Sequence, residues 1–217
     1  MFIGHHAAAF AAKRLAPRTQ LAWLFVATTL LDLLWPVCLL LGIERATVRP
    51  HPPSPFLNLD FVSYPWTHSL LMTLLWSVLA ALVYWLITHY TAGAVVIGIG
   101  VFSHWVLDWV THIPDMPLWP GGPKYGLGLW KWPMATIVIE SLMLIAGVII
   151  YVRATRPRRR RGTIILAVLV VFLFVAYALS IVSPPPPSER ALAWGGMVGW
   201  LLILWPWWAD RNREAAR

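Results

Sequence analysis

The chain has 217 residues, of which 59% are hydrophobic and only 12% charged, and its mean hydropathy is +0.67; soluble domains hold about 25% charged residues. An ordinary soluble domain is excluded, and an integral membrane protein is predicted. The net charge of +8 raises nucleic acid as a partner, but the densest basic run, Arg153 to Arg161, is a short link between two apolar stretches and reads as a cytoplasmic topology determinant. Cys38 is the single cysteine, which excludes a disulfide framework and a Cys-based zinc motif.

A short apolar segment, 2–16, comes first. Its charges, Lys13, Arg14 and Arg18, follow the apolar part, the reverse of a signal peptide. With Pro17 at the turn, this segment forms a helical hairpin with the first full span, about 19–41. Runs of roughly 20 apolar residues continue at 67–88, 92–112, 133–152, 163–183 and 191–208. The predicted fold class is therefore all-α, a polytopic transmembrane helical bundle of six spans plus a short N-terminal half-membrane helix. It is a single membrane domain over 1–217, in which 1–152 carries the ionisable residues and 163–208 supplies two scaffold helices.

Loop 42–66 is Pro-rich and expected to be irregular. In loop 113–132, Pro and Gly cluster from Pro114 to Pro123, and Trp130 and Trp132 then read as interfacial anchors. Ser183 to Ser188 encloses four prolines and cannot be helical. Gly195 and Gly199 form a lone GxxxG that suggests close helix packing. Placing the Arg153 to Arg161 loop in the cytoplasm puts Lys13, Arg14, Arg18, Arg211, Arg213 and Arg217 on the same side. Arg45, Arg49, Lys124, Lys131 and Arg190 are left outside. Both termini are then expected in the cytoplasm.

The most informative stretch is Ser103 to His112, in which His104, Asp108 and His112 recur at four-residue spacing inside an apolar, Trp-rich run. On a helix these side chains form one stripe, and ionisable groups inside a membrane mark function by default. At about 1.5 Å per residue from the cytoplasmic ends, His5, His104 and Glu140 lie about 18 Å deep, Asp32 about 22 Å, Asp108 about 24 Å and His68 about 30 Å. The candidates His5, His6, Asp32, His68, His104, Asp108, His112 and Glu140 thus share a layer running from mid-membrane to the outer surface.

Plainer readings exist for some of them. His104 with Asp108 also reads as a helix-internal pair, His68 as a residue at a helix start and His112 as interfacial. Adjacent His5 and His6 face different directions, so at most one is a ligand. Asp32, flanked by leucines, demands a partner from another segment. Imidazoles with carboxylates suit Zn²⁺ and other borderline divalent ions, whose charge would compensate buried carboxylates. Glu140 reads as a ligand, a general base or the hydrogen-bond partner of a liganding His.

Gly4-His5, Leu30-Leu31-Asp32, Trp66-Thr67-His68-Ser69 and Ser103-His104-x-x-x-Asp108-x-x-Thr111, followed by Pro117 to Pro120, resemble the YdjM-type family of inner-membrane, metal-dependent hydrolases over residues 4–132. The resemblance implies a bacterial inner-membrane protein whose metal ligands are His5, Asp32, His68, His104 and Asp108. The family's Asp-x-Asp-His is here Asp32-Leu33-Leu34-Trp35, and Val62 to Pro65 stands where it carries His-Arg-Gly. The expectation is therefore one divalent ion, most simply zinc, with Glu140 or an Asp such as Asp108 accepting a proton. The site faces the outer leaflet, its partner is a membrane lipid, and nucleic acid is not a partner. A divalent metal or proton transporter is the alternative, opposed by the lack of an internal repeat and of a polar route through the cytoplasmic half. A di-His haem anchor ranks last, because Asp108 sits one turn from His104.

Overall fold

A computed structural model describes residues 1–216. In chain order its elements are helix α1 (Ile3–Ala12), α2 (Leu21–Leu40), strands β1 (Arg45–Val48) and β2 (Leu59–Ser63), α3 (Pro65–His68), α4 (Leu70–Thr88), α5 (Thr91–Thr111), β3 (Met116–Pro117), β4 (Lys124–Tyr125), α6 (Pro133–Ala154), β5 (Thr155–Pro157), α7 (Arg160–Val182), α8 (Glu189–Met197), α9 (Gly199–Leu202), α10 (Leu204–Arg211) and β6 (Arg213–Ala215). By length and composition, α2, α4, α5, α6 and α7 can cross a membrane, as can the stretch Glu189–Arg211 that α8 to α10 make up. The architecture is an all-α polytopic bundle with three minor two-stranded pairings.

Local chemistry sets the boundaries. Ser69 is extended and accepts the Met72 amide as N-cap of α4, and Ser188 accepts the Ala191 amide at the start of α8. Each satisfies one of the free amides that begin a helix. Pro65 and Pro133 occupy the first turns of α3 and α6, where a missing N–H costs nothing. His89, at φ 50°, closes α4 in the left-handed conformation, so α5 follows almost at once.

The bundle core is apolar, with Phe10, Phe25, Leu31, Leu144, Leu169 and Leu173 buried together. In a bilayer such packing holds helices through close contact, because lipid is as apolar as leucine. Helix α1 lies against α6, α2 against α5 and α8, and α4 against α5. A Cβ at Gly147 would run into the backbone of Ala7, so glycine is what lets α1 settle on α6. The outward face of α4, including Leu75, Val78 and Leu82, is exposed, as suits a surface turned to lipid.

Two expectations are corrected. Loop 42–66 is not wholly irregular: β1 pairs antiparallel with β2, and Arg49 pairs with Asp60. Pro50, Pro52, Pro53 and Pro55 all fall between the strands, so no ladder hydrogen bond is lost to them. The close approach of the last span is made not by the Gly195/Gly199 pair but by Gly196, where a Cβ would strike the Pro36 ring of α2. Gly195 instead faces open space.

At the end of the bundle where the α1–α2 turn, the 155–157 link and α10 meet, a polar clasp closes the structure. Lys13 Nζ donates to Asp210 Oδ2 at 2.6 Å and to the Thr19 carbonyl at 2.8 Å. The Leu21 amide and the Tyr151 hydroxyl donate to the same carboxylate. These contacts bring segments read as cytoplasmic onto one side of the bundle.

Candidate metal centre

Five side chains from separate parts of the chain converge in the interior. Helix α1 buries His5, α5 buries His104 and Asp108 one turn apart, and His68 ends α3 just before the extended Ser69 turns the chain into α4. Asp32 enters from α2. His104 Nε2 lies 3.0 Å from Asp108 Oδ2 and 3.7 Å from Asp32 Oδ1. His68 Nε2 is 3.8 and 3.6 Å from the same two oxygens, and His5 Nε2 is 3.0 Å from Asp108 Oδ1. The Met1 amine also reaches that oxygen. Donor atoms of His5, Asp32 and His104, and those of His68, His104 and Asp108, each fall within 4.8 Å of one another. His104 belongs to both groups, so the two interlock around one position.

The hydrogen bonds behind the imidazoles decide which nitrogen faces inward. His104 Nδ1 is 2.8 Å from the Thr28 carbonyl, which can only accept, so Nδ1 carries the hydrogen and neutral His104 presents a bare Nε2. Thr67 Oγ1 donates to Glu44 Oε2 at 2.7 Å and therefore accepts from His68 Nδ1, also at 2.7 Å. His68 Nε2 is turned inward in the same way. Lone pairs aimed at carboxylate oxygens repel unless a cation stands between them. The His5 and His104 rings are stacked with centroids 3.8 Å apart and planes 1° from parallel, so both cannot be imidazolium without strong like-charge repulsion. His104 Nε2 is fully buried and makes no well-directed hydrogen bond, with Asp108 Oδ2 3.0 Å away. A divalent ion there would complete it and compensate Asp32 together with Asp108, which the Met1 amine already contacts, and three imidazoles with carboxylate oxygens are a donor set zinc accepts.

Two glutamates hold the helix starts that carry His5 and His68. Glu140 Oε2 of α6 accepts the amides of Phe2 and Gly4 at 2.8 and 3.2 Å, just ahead of His5. Glu44 Oε1 accepts those of Trp66 and Thr67 at 2.8 and 2.9 Å, just ahead of His68. A carboxylate at a helix N-terminus satisfies free amides and opposes the helix dipole. Glu140 thus stands beside the donor groups and belongs to neither.

The remaining candidates lie elsewhere. His6 is buried, stacks on Phe25 and is in neither donor group. His112 is buried, not lying open in the interface. It is packed by Phe61, Tyr64 and Trp130, and its Nδ1 is 2.9 Å from Asp115 Oδ1. Burial and the neighbouring Asp115 push the Tyr64 phenol well above its ordinary range, so it stays a donor to that carboxylate. Sequence reading missed Thr28, Glu44 and Asp115. Thr67, adjacent to His68, was the one available signal, whereas Glu44 sits in a loop and carries none.

Asp32 differs from its partners in being 48% exposed. It faces a half-open cavity of about 570 Å³ between α2, α7 and the α8–α9 stretch. The two later spans, expected as scaffold, form walls of this cavity.

The family model for YdjM inner membrane protein matches residues 1–184, which contain all five candidate donor residues and end before α8. No curated protein and no solved structure matches the chain.

Proposed function

The chain belongs to the YdjM inner membrane protein family, and from that premise we propose that it is a membrane-embedded, metal-dependent hydrolase of a lipid or lipid-linked ester, amide or phosphoester. The observation that carries the reading is the inward-facing Nε2 of His104, which makes no well-directed hydrogen bond and stands 3.0 Å from Asp108 and 3.7 Å from Asp32 beside two further imidazoles. His5, Asp32, His68, His104 and Asp108 would hold the ion. Zinc or a similar divalent ion supplies Lewis-acid chemistry there, acidifying water at neutral pH and polarising a carbonyl or phosphoryl oxygen.

The chain's own groups divide the remaining work. Asp32, the one exposed carboxylate of the set, takes the proton of the attacking water, whose oxygen bonds to the carbonyl carbon or phosphorus. The bond to the leaving group breaks, and the proton passes on to the leaving atom. His104 and His68 keep their orientation through Thr28 and Thr67. Glu140, one of the groups expected to accept the proton, instead binds the Phe2 and Gly4 amides and fixes α1 so that His5 stays in register. The substrate enters from the outer leaflet, consistent with the basic 153–161 loop on the cytoplasmic side.

The test is reconstitution into vesicles of phosphatidylethanolamine and phosphatidylglycerol, with mass spectrometry of the lipid extract and zinc and proton flux measured in parallel. The wild type should form a hydrolysis product, and Asp108→Asn should lower its rate by about 10²-fold or more. Flux by the wild type that Asp32→Asn abolishes, with no product formed, would overturn the assignment in favour of transport.

A further inference from the structure

The cavity beside Asp32 is built from three apolar walls and one polar end. Phe25 and Leu33 of α2, Phe172 and Ala176 of α7, and Gly195 and Val198 of the last span line it. Among its described lining residues the ionisable ones are Asp32 and His6, both at the metal-centre end. Its walls belong to membrane-spanning helices, so its neighbour in place is the hydrocarbon of the bilayer. Its volume of about 570 Å³ lies within the roughly 300–1,000 Å³ of pockets that enclose one small ligand, which suits one chain of a lipid and not the whole molecule.

The wall is shaped by two adjacent glycines with opposite tasks. Gly196 lets α8 press onto the Pro36 ring, while a Cβ at Gly195 would meet nothing within 4 Å. Trp200 Nε1 donates to the Leu33 carbonyl at 3.0 Å and pins the far side of the same wall to α2. Gly196 and Trp200, four residues apart, therefore hold one face of the last span to α2, while Gly195 is offset from that face by about 100° and stays vacant.

We propose that this cavity is an acyl-chain site: it takes one fatty-acyl chain of a membrane glycerophospholipid, places the adjoining ester at Asp32, and has its width set by Gly195. The proposal rests on the hydrolase reading for what happens at Asp32, but binding of the chain needs no turnover. The last span supplies one whole wall and lies beyond the part of the chain that the family model matches, so the chain length accepted is a property of this protein's own C-terminal segment.

The experiment uses the full chain in phosphatidylethanolamine and phosphatidylglycerol vesicles doped with a phosphatidylethanolamine whose acyl chain ends in a diazirine. After photolysis, peptide mapping should find label concentrated at Phe172, Ala176 and Val198. Gly195→Trp and, from the opposite wall, Ala176→Trp should each cut that label roughly tenfold or more as apolar contact is lost, with zinc content and unfolding temperature unchanged. Label spread instead over the lipid-facing Leu75, Val78 and Leu82 of α4, or retained in both Trp variants, would overturn the proposal. Label at the cavity without zinc or hydrolysis product would support the acyl site and sink the hydrolase reading, so the two failures are distinguishable.

Discussion

The bundle contains two buried clusters of charge, and they differ in how completely they are satisfied. In the clasp, Lys13 Nζ has two acceptors, and both oxygens of Asp210 are bonded by Lys13, the Leu21 amide and Tyr151. In the His/Asp cluster Asp108 receives the Met1 amine and His5 Nε2, but His104 Nε2 and His5 Nδ1 make no well-directed hydrogen bond and Asp32 faces imidazole nitrogens at 3.6 and 3.7 Å. Lys13 and Asp210 are 7% and 8% exposed and His104 and Asp108 are 0% and 3%, so burial alone does not separate the two, and only Asp32 of the His/Asp cluster, at 48%, opens outward. A closed network is held by what it already contains. A buried network left open has donor capacity to spare, and such breaches of local consistency are where function is sought.

The clasp gives the largest expected effect. Asp210→Ala leaves Lys13 buried without its counter-charge and should cost about 3–5 kcal/mol, read as a lower unfolding midpoint in detergent. A double change, Lys13→Met with Asp210→Leu, should recover most of it. A loss below about 1 kcal/mol for Asp210→Ala would mean the pair behaves as a solvated surface bridge and would erase half of the comparison.

A smaller change sharpens the other half. Thr67→Val removes the hydroxyl that accepts from His68 Nδ1 while nearly preserving shape. Zinc affinity should fall about 10–100-fold, the unfolding midpoint of the metal-free protein should drop modestly because buried Glu44 Oε2 also loses its donor, and Thr67→Ser should restore both. Unchanged zinc affinity in Thr67→Val would show that His68 needs no orientation from behind.

Much of this was legible in the sequence because a membrane makes charge conspicuous. Asp32 between leucines and the His104/Asp108 spacing stand out in apolar runs, and six spans follow from the length and apolar composition of those runs. The resemblance then named five residues that the structure brings together. Glu140 was singled out, but its task was not legible: a carboxylate that binds backbone amides of another helix leaves no spacing to read. Glu44 was missed for the same reason. The cavity was hidden too, because 163–208 carries no ionisable residue in its spans and looks like scaffold until α7 and α8 are set beside Asp32. The Gly195/Gly199 pattern pointed to packing, and only the placement of Pro36 shows that the neighbouring Gly196 makes the contact.

The most direct test of the account is the metal content of the purified full chain, with zinc supplied and no chelator present. The wild type should carry about one equivalent, while His104→Ala and Asp108→Asn lose most of it with their helical content intact. Wild-type protein without bound metal, or equal metal in the wild type and both variants, would contradict the claim that the open cluster is a metal centre.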